Sequence, residues 1–174
     1  MYLGESIPVF HNWFFLHFTE NEGMAFGLQL AGKWGKLILS ILRIIAVVAI
    51  GYWIYLLTRK KTPFGLIFSL SLILAGALGN IIDSAFYGLI FSESTYSQMA
   101  VFSPPEGGYA SFLHGKVVDM FYFPIIHGTY PSWLPWVGSQ DFIFFRPVFN
   151  IADSSITTGV LLLILFQKRF FRKR

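Results

Sequence analysis

The chain has 174 residues, 55% of them hydrophobic, 19% aromatic and only 13% charged, with a mean hydropathy of +0.59. A soluble domain carries about a quarter charged residues, so this composition excludes an ordinary soluble enzyme and indicates an integral membrane protein. The net charge of +4 is not a nucleic-acid footprint, because the basic residues cluster beside apolar runs, and the absence of cysteine excludes disulfides, thiolate metal sites and a cysteine nucleophile.

Met1–Ser6 has no basic start, apolar stretch or cleavage site of a secretory signal peptide. Trp13-Phe14-Phe15-Leu16-His17-Phe18-Thr19 is aromatic and strand-like, and Glu20-Asn21-Glu22-Gly23 is expected to break it. Residues 1–36 then form a small surface sheet at the outer boundary, continued later by Lys116–Phe123. Membrane spans need about 20 apolar residues. Three segments qualify, running from about Leu37 to Leu57, from about Phe64 to Phe91, and from about Ser155 to Phe171. The turn Thr58-Arg59-Lys60-Lys61-Thr62-Pro63 and the tail Lys168–Arg174 are basic, hence cytoplasmic. Residues 92–154 are then extracytoplasmic loops and strand, within a single membrane domain over 1–174. Ser92–Gly115 contains Pro104-Pro105-Glu106-Gly107-Gly108 and is read as loop. Pro124–Pro147 is read as an interfacial loop with a short helix at most. This parity leaves residues 1–36 outside with no preceding helix to carry them, so a helix missing from the start of the chain is expected.

Asp119 follows the strand-like Lys116-Val117-Val118, and Asp153 stands at the outer end of the last span. Topology brings both to the same side at similar depth. Carboxylates at a bilayer edge are costly and serve chemistry or a structural partner. Two that approach closely cannot both ionise easily, and the pair can share a proton. One can then activate a water while the other protonates a scissile carbonyl. The competing reading is that Asp153 caps its helix and Asp119 is an exposed loop residue. Asp83 lies near the outer end of the second span, three residues from Asn80 on one helix face. A polar clasp between helices suits Asp83, and Asn80 could serve the clasp or the chemistry. Gly76 and Gly79 allow close helix approach. Asn21 alone reads as a turn residue. His11, His17, His114 and His127 show no metal-binding spacing, so no metal or other cofactor is expected. A Ser111–Lys116 dyad lacks a nucleophile elbow, and Lys116 is expected to face water.

Four segments together resemble the bacterial lipoprotein signal peptidase family, signal peptidase II. They are Asn21-Glu22-Gly23-Met24-Ala25-Phe26, Gly76-Ala77-Leu78-Gly79-Asn80-Ile81-Ile82-Asp83, Val117-Val118-Asp119, and Phe149-Asn150-Ile151-Ala152-Asp153-Ser154. Their order matches the family, and the match spans most of the chain. The resemblance implies a membrane α-helical bundle, with four spans in the family and three visible here, and a small periplasmic β-sheet lying on the membrane surface. It implies a multi-pass aspartic endopeptidase of the bacterial inner membrane, with its site near the extracytoplasmic face. The implied substrates are prolipoproteins already carrying diacylglycerol, cut just before the lipidated cysteine. It makes Asp119 and Asp153 the catalytic dyad, puts Asn21, Asn80 and Asn150 in the substrate pocket, and gives Asp83 a supporting role. The implied partners are that substrate and membrane lipid, with no nucleic acid, for a monomer. Three features depart from the family: its first helix is missing, Ser84 stands where arginine usually follows the aspartate, and Ser92–Gly115 looks like an insertion. The rival from another class is a transporter subunit or assembly factor with an Asp-lined ion path, but the broken helices and repeats of transporters are not visible.

Overall fold

The computed structural model describes residues 1–22 and 32–171. Gly23–Phe26 of the first motif and the basic tail beyond Phe171 lie outside the described residues. The two long helices are α1 (Gly32–Thr58) and α2 (Phe64–Ile90), of 27 residues each. α1 begins before the expected Leu37 and so takes the last residues of the stretch 1–36 expected in the surface sheet. At 1.5 Å per residue each is about 40 Å long, enough to cross a hydrocarbon core of about 30 Å. Their apolar windows have mean hydropathies of 2.4 and 2.1. The basic turn between them is closed by Thr62, whose hydroxyl donates to the Leu57 carbonyl at 2.9 Å, and Pro63 takes the cap position of α2. Proline suits such a start because its missing N–H would have no helical partner there.

The last helix, α3 (Ile151–Leu165), begins four residues before the expected Ser155. The reason is Asn150. Its side-chain oxygen accepts from the Asp153 N–H at 2.9 Å, and an Asp153 carboxylate oxygen accepts from the Asn150 N–H at 3.3 Å. This reciprocal box starts the helix one turn early. The helix also ends sooner than expected. Phe166 leaves helical geometry, and a single turn, α4 (Gln167–Phe170), follows.

α3 lies in close contact with α2 through small residues. A Cβ on Gly76 would collide with the Ala152 carbonyl oxygen and come within 2.7 Å of Ile156. Ser155 donates across the interface to the Leu72 carbonyl at 2.7 Å, and Ser69 is wholly buried there. Apolar side chains such as Leu42, Ile45 and Val48 on α1 and Leu161 and Leu165 on α3 remain exposed. That pattern suits lipid, which is as apolar as the side chains themselves.

Four strands form an antiparallel sheet in the order β1 (Ser6–Phe10), β2 (Phe14–Asn21), β3 (Val117–Tyr122) and β6 (Val148–Phe149). The expected break at Glu20-Asn21 does not occur. β2 runs on through Asn21, because Glu20 pairs with Val118 and Asn21 with Val117. The expected loop at Pro124–Pro147 holds a second sheet, the hairpin β4 (Ile126–Thr129) and β5 (Asp141–Phe144). Thr129 donates to Asp141 across it at 3.0 Å, and the Tyr130 and Phe142 rings lie 4.8 Å apart. Ser92–Gly115 is irregular, as expected, with one bridge between Phe91 and Phe102. It folds back on the end of α2. The Gly115 N–H donates to the Ser84 carbonyl at 2.8 Å, and a Cβ on Gly115 would sit 2.6 Å from the Asp83 carbonyl oxygen. That close approach fixes where β3 starts.

Candidate active site

Side chains alternate across a strand, so paired residues of β2 and β3 share a face. Thr19 pairs with Asp119 and Asn21 with Val117, which places Asp119 and Asn21 on one face. Asn21 Nδ2 donates to Asp119 Oδ2 at 3.1 Å, a contact that only the sheet could create between residues so distant in sequence. The tightness of the α2–α3 packing brings in the rest. Asn80, on α2, donates from Nδ2 to Asp153 Oδ1 at 3.0 Å. Asn150, at the head of α3, joins the two halves. Its Nδ2 donates to Asp119 Oδ1 at 2.9 Å and to Asn80 Oδ1 at 3.1 Å, with the Val118 carbonyl at 3.4 Å.

The four carboxylate oxygens of Asp119 and Asp153 therefore each receive one amide N–H. This fixes both carboxyl groups in orientation and leaves acceptor capacity on each oxygen. Asp119 is only 4% exposed and Asn80 6%. Burial pushes the Asp119 carboxyl up to about 6, and the charges of Asp153 and Asp83 add to the rise; the hydrogen bonds from Asn21 and Asn150 oppose it. Asp83 lies one turn along α2 from Asn80. It faces the Val118 backbone N–H and the Tyr87 hydroxyl, within electrostatic reach of Asp153.

All six residues singled out from the sequence are thus in one connected cluster where the sheet meets the bundle. The reading of Asp119 as an exposed loop residue is overturned, since it is a buried strand residue. Asp153 does take part in a helix cap, and it does so while facing Asp119 through Asn150. Asn21 is not a turn residue.

Lys116 does not simply face water. Its ammonium meets Glu20 at 2.7 Å and Glu93 at 3.6 Å. Burial by itself would lower the Lys116 ammonium, but the Glu20 carboxylate outweighs it and the net direction is upward. Ser111 instead contacts His114 Nδ1 at 3.1 Å, so these two residues form no dyad. Among the described residues no group of three or more His, Asp or Glu side chains is arranged to hold a metal ion. One functional candidate was missed by sequence reasoning: Arg43 on α1, within electrostatic reach of Asp153. Its signal was plain, a lone charge deep in an apolar span.

Fold and site together define a helical membrane protein with a paired-carboxylate cluster at the junction of sheet and bundle. A family model described as signal peptidase (SPase) II matches residues 1–169. A lipoprotein signal peptidase of Porphyromonas gingivalis is 53% identical over 97% of this chain and 73% of its own length. Those of Amoebophilus asiaticus and Chlorobaculum parvum are 39% and 33% identical, over 94% and 99% of this chain and 65% and 82% of their own. A bacterial membrane enzyme structure solved by the in meso method at 2.3 Å resolution superposes with a TM-score of 0.61 at 27% identity, covering all of this chain and 78% of the other. The chain belongs to the signal peptidase II family.

Proposed function

We propose that this protein is an intramembrane aspartic endopeptidase that removes signal peptides from diacylglyceryl-modified prolipoproteins, cutting before the lipidated cysteine. The observation that carries the reading is the bridge through Asn150, which ties Asp119 and the Asn80–Asp153 pair into one hydrogen-bonded unit. In this reading one carboxylate is ionised and takes a proton from water as the water oxygen attacks the scissile carbonyl carbon. The other is neutral and gives its proton to the carbonyl oxygen. Collapse of the tetrahedral intermediate then breaks the C–N bond, and the amine leaves with the proton that came from water. The Asp119 carboxyl at about 6 suits proton transfer near neutral pH. Asn21, Asn80 and Asn150 hold the dyad in orientation and line the pocket for the substrate, and Asp83 supports β3 through Val118.

The chain acts as one domain in the bacterial inner membrane, as a monomer, with lipid around α1, α2 and α3 and the dyad near the extracytoplasmic face. Entry of the substrate from the bilayer follows from its own lipid and signal helix. The test is cleavage in lipid vesicles of one prolipoprotein peptide with and without diacylglycerol on its cysteine. The modified peptide should be cut before the cysteine in the presence of EDTA, and the unmodified one left intact. Loss of activity in EDTA with recovery on adding zinc would defeat the aspartic mechanism.

Orientation has its own measurement. The chain has no native cysteine, so single reporter thiols are clean. A cysteine replacing Ser139, next to the β4–β5 hairpin, should react with an impermeant reagent in intact cells. One replacing Thr62 in the basic turn should react only after permeabilisation, because Lys and Arg in short flanks keep that turn inside. The reverse pattern would place the dyad on the wrong side.

A further inference from the structure

Between Leu37 and Thr58 the α1 sequence holds a single charged residue, Arg43. A cation this far inside an apolar span is expensive, and it persists where it has a partner and a task. Its direction is set by helical spacing. Ser40, Arg43 and Val47 fall on one stripe at intervals of three and four and are buried or half-buried, while Leu42 and Ile45 between them are exposed. The Ser40 hydroxyl on this stripe donates to the Leu113 carbonyl at 3.2 Å, on the segment leading into β3. Arg43 therefore faces the bundle.

Its depth follows from the turn. α1 and α2 run antiparallel from the basic turn. Arg43 lies fifteen residues back from Thr58 and Gly79 fifteen residues on from Phe64, about 22 Å in each case. Arg43 is thus level with Asn80, whose amide holds Asp153. Electrostatics agrees with this placement: Asp153 is a carboxylate that acts on Arg43.

The two halves of the dyad consequently have different surroundings. The charges acting on Asp119 are Asp153 and Asp83, both negative. Arg43 of α1 and Asp83 of α2 both lie within electrostatic reach of Asp153. β2 and the head of α3 contribute neutral amides, Asn21 and Asn150, and Tyr87 of α2 faces Asp83. The nearby lysines are engaged elsewhere, Lys36 with Glu22 and Lys116 with Glu20.

We infer that Arg43 is a positioning residue of the dyad: its guanidinium compensates the Asp153 carboxylate, so that Asp153 takes the proton from water and Asp119 donates to the scissile carbonyl. The inference rests on the aspartic reading above and assigns roles that reading leaves open.

The test compares pH–rate profiles of wild type, Arg43→Met, Arg43→Gln and Arg43→Lys in lipid vesicles, using a diacylglyceryl-modified prolipoprotein peptide, with Asp153→Asn in parallel. Removing the cation disfavours the ionised member of the pair, so the acid limb of kcat/KM should move to higher pH. Arg43→Met should lose about tenfold or more in kcat and shift that limb up by about one pH unit. Arg43→Gln should do the same, and serves where Arg43→Met does not insert. Arg43→Lys should restore the limb. A loss of kcat equal at every pH, with the limb unmoved, would mean that Arg43 only supports the fold, and the inference fails. It fails equally if Arg43→Met keeps wild-type kcat/KM while Asp153→Asn is inactive, which leaves the aspartic reading standing. An active Asp153→Asn would instead remove that reading itself.

Discussion

Asp119→Asn and Asp153→Asn are each expected to abolish prolipoprotein cleavage while leaving the protein folded in the membrane. An amide keeps one acceptor oxygen in the same place, but it cannot carry the proton that each carboxyl transfers in the proposed mechanism. Losing general acid–base work costs at least about 10²-fold, so either variant retaining activity within about tenfold of wild type would remove the dyad. The two variants should differ in stability. The Asp119 carboxyl is raised from 3.8 to about 6 in the folded protein, chiefly by burial. Folding therefore takes up a proton between those values. The contribution of this group to stability is fully present below pH 3.8 and is lost as pH rises through about 6. Asp119→Asn removes the buried charge, so it should melt at or above the wild-type temperature at pH 7. The difference should close towards pH 4. Thermal melts in detergent across that range measure it, and a variant less stable at pH 7 than at pH 4 relative to wild type would contradict the burial argument. Dead but no less stable is the signature of a group kept for chemistry.

The helices were legible because a long apolar run leaves few alternatives. Thr58–Pro63 marked the turn through its charges and its proline, and α2 begins at Phe64 as the sequence indicates. The start of α3 was less legible. Its cap is Asn150 with an aspartate at the third helical position, whereas the usual sign is a serine or threonine followed by glutamate or glutamine. The aromatic strand before Glu20 was legible in kind but not in length. Nothing local shows that Asn21 stays in register, because its partner Val117 is supplied by a segment almost a hundred residues away. The β4–β5 hairpin was hidden for a similar reason. Ile126-His127-Gly128-Thr129 has no clean alternation, and its order comes from partners across the hairpin, Phe142 and Asp141.

The site divides along the same line. Asp119 and Asp153 could be paired by topology, since a span and a strand ending on one side bring their ends together. The asparagines could not be assigned roles that way. Asn21 looked like a turn residue, and Asn80 suited either of two tasks. Only the resemblance suggested them, and the distances show what they do to the carboxylates. Arg43 is legible from the cost of a lone charge in an apolar span and not from the length of that span.

The interface that carries Asp153 should be the least tolerant of added volume. Gly76 faces the first turn of α3, and a Cβ there meets the Ala152 carbonyl oxygen and Ile156. That carbonyl is backbone within a helix and cannot turn aside, so the helices must separate. Gly76→Ala is expected to destabilise the protein by about 1–3 kcal/mol, the usual range for overpacking. The effect on activity should be larger. Moving α3 off α2 lengthens the Asn80–Asp153 hydrogen bond, now 3.0 Å, and turns Asp153 relative to Asp119. A misplacement of about 1 Å can cost about 10²-fold. Gly51 on α1 provides the contrast. A Cβ there meets nothing within 4 Å. Gly51→Ala should leave cleavage unchanged and raise stability by up to about 1 kcal/mol, since glycine is the weaker helix former. Melting temperatures and cleavage rates of the two variants in one detergent decide the matter. Equal behaviour of Gly76→Ala and Gly51→Ala would mean that α3 does not depend on this contact for its position. If Gly76→Ala lost stability alone, with full cleavage, the geometry of the dyad would tolerate a displaced α3, and the bridge through Asn150 would have to hold the two carboxyl groups together without Asn80.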